Sequence, residues 1–155
     1  GSMRYVISRK NEHTVNQNVI EGLKLENNKN LDNLNSCLVF KKNCEESKDR
    51  IKNKLYEFIK EGKKICGYAA TSKSTTILNY CNIDKKVISF ICDTTKEKIG
   101  KFSPGTHIPI VPTSYFHKNP TDIAYLFAWN HREEIFAKEK DFIKNGGKWI
   151  SHVSL

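Results

Sequence analysis

Short, uninterrupted apolar runs along this chain alternate with stretches in which apolar residues recur every three or four positions. The runs at 64–68, 87–92, 108–111, 123–128 and 149–153 read as strands. Their unbroken apolar character suits strands covered on both faces, as in a parallel sheet. Over 36–61, Ile51, Leu55, Phe58 and Ile59 share one face of a helix with lysines opposite, and Gly62 stands where a left-handed cap would end it. Further helices are expected over 74–81 and 132–145, the second closed by Gly146 and Gly147. Ahead of these, 4–10 reads as a short strand, 15–26 as a short helix and 27–35 as a polar connector. The pattern predicts an α/β fold: a Rossmann-like, mostly parallel sheet with helices on both faces over 36–155, preceded by an N-terminal strand/helix arm over 1–35.

The first strand of that sheet leads into the most informative stretch, KKICGYAATSKSTTILNYC at 63–81. An apolar strand enters a turn of small residues, which opens an amphipathic helix. Small residues let the backbone approach an anion, and the helix N-terminus directs unpaired N–H groups and partial positive charge at it. Lys73, Ser74, Thr75 and Thr76 add an ammonium and three hydroxyls. As a Rossmann fingerprint the stretch places Gly67, Ala69 and Ser72 at the glycine positions. As a P-loop it aligns Gly67, Ser72, Lys73 and Ser74, and the second glycine is missing. The next strand ends in Asp93, where an acid could hold a ribose hydroxyl in the first reading or a magnesium water in the second. An ordinary strand-turn-helix without a ligand fits the same residues.

Two further clusters fall where such a sheet gathers ligands, beyond the carboxyl ends of its strands. The loop KEKIGKFSPGTH at 96–107 carries Lys101 and His107. His107 suits either a backbone hydrogen bond or a ligand. The segment AWNH at 128–131 leaves the fourth strand. There Asn130 suits a helix N-cap or a ligand contact, and Trp129 suits the core or stacking on a base.

Charge and cysteine content narrow the function classes. The net charge is +9, but only Arg4, Arg9, Arg50 and Arg132 are arginine among the 26 basic residues. Lysines spread along every helix and loop describe solvated faces with a preference for anionic ligands, not a nucleic-acid surface. The five cysteines at 37, 44, 66, 81 and 92 form no C-x-x-C pair, so neither a disulfide framework nor a zinc knuckle is expected, and Cys66 and Cys92 read as small core residues. No histidine spacing suggests a metal. No apolar run nears the ~20 residues of a membrane span, and a soluble, cytoplasmic protein is expected.

In order along the chain stand G-Y-x-A-x-x-K-x-x-T-x-L-N-Y-C, a strand ending in Asp, GKFSPGTHIPIVP, FAWNH and G-G-K-x-I. This series, at 67–150, resembles the C-terminal domain of SAM-dependent nucleotide-sugar C-methyltransferases, and the opening Gly1 to Tyr5 is similar to the segment that leaves their central domain. The resemblance implies a bacterial enzyme of deoxysugar biosynthesis. In it a cysteine-rich zinc module and a central S-adenosylmethionine (SAM) domain precede a Rossmann-like domain. A nucleotide-diphospho-sugar lies between the last two parts, is deprotonated beside its carbonyl and is methylated on carbon. The base and the SAM site belong to the central domain, so no catalytic residue and no metal ligand is assigned in this chain. The substrate or phosphate contacts then expected are Gly67, Tyr68, Ala69, Ser72, Lys73, Ser74 and Thr75 in the turn, with Asp93, Lys101, His107, Trp129 and Asn130 around it. Ala69 and Thr71 stand where the family often has glycine and alanine or proline. The implied partners are the nucleotide-sugar and the protein's own upstream SAM-binding and zinc-binding domains, with no nucleic acid and no membrane. Self-association through the N-terminal arm is a further expectation. Two other classes fit the residues: a stand-alone nucleotide-binding or P-loop-like phosphotransfer protein using Lys73 and Asp93, and a non-catalytic interaction domain.

Overall fold

The computed structural model describes residues 4–154; Gly1 to Met3, part of the family-like opening, and Leu155 lie outside them. The chain divides into two compact units, 1–44 and 45–155.

In the first unit, helix α1 (Gln17–Asn28) is N-capped by Asn16, whose side chain accepts the Asn18 N–H at 2.9 Å. The Asn33 side chain accepts the Ser36 N–H at 3.0 Å in the first turn of helix α2 (Leu34–Lys60). The strand expected over 4–10 does not form: 4–9 carry no regular structure and a turn begins at Lys10. A strand needs a neighbour to receive its N–H and C=O groups, and none pairs with this segment among the described residues.

The second unit is built on a five-stranded sheet, all parallel, in the order β3-β2-β1-β4-β5. Its strands are β1 (Ile65–Tyr68), β2 (Ile91–Asp93), β3 (Ile110–Pro112), β4 (Ile123–Leu126) and β5 (Lys148–Ile150). Side-chain alternation divides them between two cores. Ile65, Ile91, Ile123, Tyr125 and Phe127 pack against Ile51, Leu55 and Phe58 of α2 and Leu78 of α3 (Ser72–Tyr80). Cys66, Tyr68, Cys92, Ala124 and Leu126 face Phe116 of α4 (Thr113–Lys118), Ile135 and Phe136 of α5 (Arg132–Lys138) and Phe142 of α6 (Lys140–Lys144). Helices thus cover both faces, which is why both alternating sets of strand residues are apolar. At Gly62, φ is +73°, and the Lys63 N–H bonds back to the Phe58 carbonyl at 2.9 Å, closing α2 as the sequence predicts.

The expected elements shift in three places. The second strand shortens to Ile91–Asp93 because the chain turns at 84–88, with the Ile88 N–H on the Asp84 carbonyl at 3.0 Å. Helix α4 stands where no element was expected. The helix expected over 132–145 breaks at Glu139, whose backbone leaves the helical region and turns its carboxylate inward.

This strand order positions the site. The chain leaves β1 through α3 toward β2 on one side and leaves β4 through α5 toward β5 on the other. The two exits diverge above the β1–β4 pair, at the topological switch point where doubly wound sheets hold ligands.

Candidate functional site

The turn after β1 is fixed by backbone bonds before any side chain acts. The Ala69 N–H donates to the Cys92 carbonyl at 2.8 Å, and the Thr71 N–H donates to the Ala69 carbonyl at 3.0 Å. Ala69 has φ +71°, the left-handed conformation that glycine adopts freely. Thr71 caps α3, its Oγ1 accepting the Ser74 N–H at 3.3 Å, while the buried Ser74 hydroxyl donates to the Thr71 carbonyl at 2.6 Å. Ser74 is therefore a capping residue with an occupied hydroxyl. The Ser72 and Lys73 N–H groups have no partner among the described residues and remain the outward donors of the first turn. Ser72 is exposed and Thr75 half-buried beside them.

Lys73 reaches across the switch point, its Nζ donating to the Asn130 Oδ1 at 3.3 Å. That partner is neutral, and no carboxylate lies within ion-pair distance of Lys73 among the described residues. Asn130 lies within a 3-10 turn (Trp129–His131) after β4 and makes no N-cap bond. The Trp129 ring meets the His152 ring edge-on, centroids 6.4 Å apart. His152 follows β5, and burial followed by the Lys73 charge lowers its pKa. Lys73, Trp129 and Asn130 are thus brought together as the sequence predicts, and His152 joins them.

Asp93 has a different occupation from either expected role. It is 6% exposed, and its Oδ2 accepts the Ala70 N–H at 2.7 Å while Oδ1 accepts the Thr95 N–H at 2.7 Å. Lys98 completes the arrangement, donating to the Ala70 carbonyl at 2.8 Å with its Nζ 3.6 Å from the carboxylate. Burial raises the Asp93 pKa, but the bonds from Thr95 and Ala70 and the Lys98 charge outweigh it, leaving it below the usual carboxylate value. The residue ties the β1 and β2 turns together, with its oxygens already engaged.

Gly67 and Tyr68 point away from the turn. A Cβ on Gly67 would lie 2.8 Å from Phe127 Cε2 and 2.9 Å from Ile91 Cγ1, so this glycine serves strand packing. Tyr68 is buried on the opposite face of the sheet, its hydroxyl donating to Glu139 Oε1 at 2.7 Å, and the second Glu139 oxygen meets His117 Nε2 at 2.7 Å. Lys101 and His107 are exposed on the β2–β3 loop, and among the described residues no hydrogen bond joins either side chain to Lys73 or Asn130. The loop folds on itself instead: the Ser103 hydroxyl bonds Thr106 and accepts the Ile108 N–H.

Two cavities open at the carboxyl ends of the strands on the α5 side. One, of about 310 Å³, is lined by Tyr68, Ala69, Asp93, Ala128 and His131. The larger, of about 990 Å³, is lined by Trp129, Asn130, Arg132, Glu133, Glu134 and Phe136 among others. The pair is large enough for a nucleotide-sized ligand. No group of His, Cys, Asp and Glu side chains suited to a metal ion occurs among the described residues, and none of their helices is long and apolar enough to cross a membrane.

Three residues of this site carry weak sequence signals. Thr71 stands three positions before Ser74, a spacing suited to a cap, but Thr75 and Thr76 offer rival hydroxyls. Nothing in the run KEKIGK singles out Lys98. His152 lies in an expected strand and reaches the site only through the position of β5.

The family model for the C-methyltransferase C-terminal domain matches residues 1–154. The C-methyltransferase NovU of Streptomyces niveus is 35% identical over 106 residues, covering 66% of this chain and 25% of the relative. The chain thus spans about a quarter of the length of this curated relative. With nearly its whole length matched and a parallel, Rossmann-like sheet, the chain belongs to the C-methyltransferase C-terminal domain family.

Proposed function

We propose that this chain is the substrate-binding C-terminal domain of a SAM-dependent C-methyltransferase acting on a nucleotide-diphospho-deoxysugar, and that it holds the nucleotide-sugar against a separate catalytic domain. One observation carries the reading. At the switch point the Ser72 and Lys73 N–H groups of α3 lack partners among the described residues, and the Lys73 ammonium bonds a neutral amide with no carboxylate within ion-pair distance among them. Fixed donors and an unneutralised cation at a helix N-terminus suit a diphosphate. Trp129 and the adjoining cavity suit the base or sugar. Membership in the family supports the enzyme class.

The same residues do not suit the methyl donor. Its sulfonium is a cation and would meet the Lys73 charge. Asp93, at the strand end where an acid holds ribose hydroxyls in dinucleotide sites, is engaged by Ala70, Thr95 and Lys98. SAM therefore binds outside this chain in our reading, as does the base that deprotonates the sugar, and this chain alone transfers no methyl group. Its contribution is to fix the diphosphate and so the sugar's orientation.

An NMR titration with UDP-glucose, a nucleotide-diphospho-sugar, tests the reading. The largest amide shifts are expected at 69–76 and 129–130. Shifts concentrated elsewhere would sink the site, and low-micromolar SAM binding by calorimetry would move the methyl donor into this domain.

A further inference from the structure

The side chain beyond β5 has no part in the function proposed above. His152 is half-buried, its Nδ1 is fully enclosed and lacks a hydrogen-bond partner, and its ring abuts the edge of Trp129. Trp129 adjoins Asn130, the partner of Lys73, so residues after β1, β4 and β5 meet in one cluster. Two potentially cationic groups are gathered there, and the hydrogen-bonding neighbour of Lys73 is an uncharged amide. A polar ring atom enclosed without a partner is costly unless a second state of the site satisfies it.

We propose that His152 is a further ligand-binding residue of this site, taking up a proton as the diphosphate of a nucleotide-sugar docks beside Lys73 and so making affinity depend on pH. The inference rests on the diphosphate reading above. In the free protein, burial and the neighbouring Lys73 ammonium disfavour the imidazolium. An arriving diphosphate brings negative charge that offsets Lys73 and favours the imidazolium. By linkage, a ligand that raises the pKa of a group binds more tightly where that group is protonated. The groups beside His152 are Lys73 from α3, whose own partner is Asn130, Trp129 from the 3-10 turn, and the Tyr125 hydroxyl from β4, which lies near the His152 backbone. Lys73 alone among them is charged at neutral pH. The Tyr125 phenol, raised by burial, stays neutral throughout the range in which His152 titrates.

The test uses UDP-glucose, whose diphosphate is a diester and keeps its charge across the histidine range. The ring proton signals of His152 are followed from pH 5 to 8.5 with and without saturating UDP-glucose. The midpoint is expected to rise by about one pH unit, and the affinity to fall severalfold from pH 5.5 to 8, toward the limit of about tenfold that one unit of pKa shift allows. In His152→Gln, checked for folding by circular dichroism, the affinity should be flat with pH. An unmoved midpoint in wild-type protein whose amides at 69–76 respond to UDP-glucose would overturn the inference and leave the diphosphate site standing. A pH slope that persists in the variant would do the same. Absence of any response at 69–76 would overturn both.

Discussion

The carboxylate of Asp93 accepts the backbone N–H of Ala70 at 2.7 Å, joining the ends of two neighbouring strands. Ala70 directly follows Ala69, whose left-handed backbone redirects the chain into α3. A non-glycine residue in that conformation is disfavoured by roughly 1–2 kcal/mol. The bond to Asp93, the Cys92 carbonyl bond to Ala69 and the Lys98 contact to the Ala70 carbonyl hold it there. The acid at the second strand end thus shapes the turn of the proposed anion site.

Replacement of Asp93 by alanine leaves the buried Ala70 N–H and the part-buried Thr95 N–H unpaired and should cost about 1.5–3 kcal/mol in stability, the range for hydrogen bonds to a charged group. Urea unfolding measures it. The pH dependence has a defined sign. Because the folded-state pKa of Asp93 is lowered, its contribution is fully present above the unfolded value of about 3.9 and is lost as pH falls through the folded value. The stability gap between wild type and Asp93→Ala should therefore close below about pH 4. A gap constant from pH 7 to 3 would refute the charged role.

Gly67→Ala places a methyl group 2.8 Å from Phe127 Cε2 and 2.9 Å from Ile91 Cγ1, both on fully buried side chains. Overpacking of this kind should destabilise by about 1–3 kcal/mol. The double variant Gly67→Ala/Phe127→Leu frees space at the ring and should recover part of the loss. If Gly67→Ala instead weakens UDP-glucose binding at unchanged stability, this glycine belongs to the ligand site.

Tyr68→Phe removes the hydroxyl that donates to the buried carboxylate of Glu139 and leaves His117 as its remaining side-chain partner. Loss of a hydrogen bond to a buried charged group predicts about 1.5–3 kcal/mol of destabilisation. Tyr68 lines the smaller cavity, but its hydroxyl is committed to Glu139, so UDP-glucose affinity should stay within twofold. Thermal melts and calorimetry on one sample separate the two effects.

The sequence made the sheet legible because its central strands β1, β2 and β4 are buried along their length and fall in apolar runs, and the strand-turn-helix at 63–81 placed Lys73 at the head of α3. The limits are equally physical. At Arg4 to Lys10 the apolar run Tyr5-Val6-Ile7 reads as a strand, yet pairing is a tertiary property and no partner strand is present among the described residues. Periodicity continues through Glu139, so the pattern cannot reveal that its carboxylate is drawn into the core by Tyr68 and His117. Asp93 sits where its chemistry predicts a ligand contact, but the backbone donors of Ala70 and Thr95, invisible in side-chain identity, claim it first. His152 comes within reach of Lys73 only because β5 pairs with β4, a neighbour relation that local sequence does not encode.

Lys73→Ala separates binding from folding most cleanly. Lys73 and its partner Asn130 are both exposed, so their 3.3 Å bond adds little to stability and the variant should unfold within about 0.5 kcal/mol of wild type. Its ammonium bonds only the neutral Asn130 and is not neutralised by a carboxylate within ion-pair distance among the described residues, so UDP-glucose binding should weaken by about 1.5–3 kcal/mol, roughly ten- to a hundredfold. Lys73→Arg keeps the charge and should retain more of the affinity than alanine. Raising ionic strength from 0.05 to about 0.5 M should narrow the gap between wild type and Lys73→Ala, because the interaction is partly screened at an exposed site. Equal affinity for wild type and Lys73→Ala at low salt would remove the diphosphate from this helix.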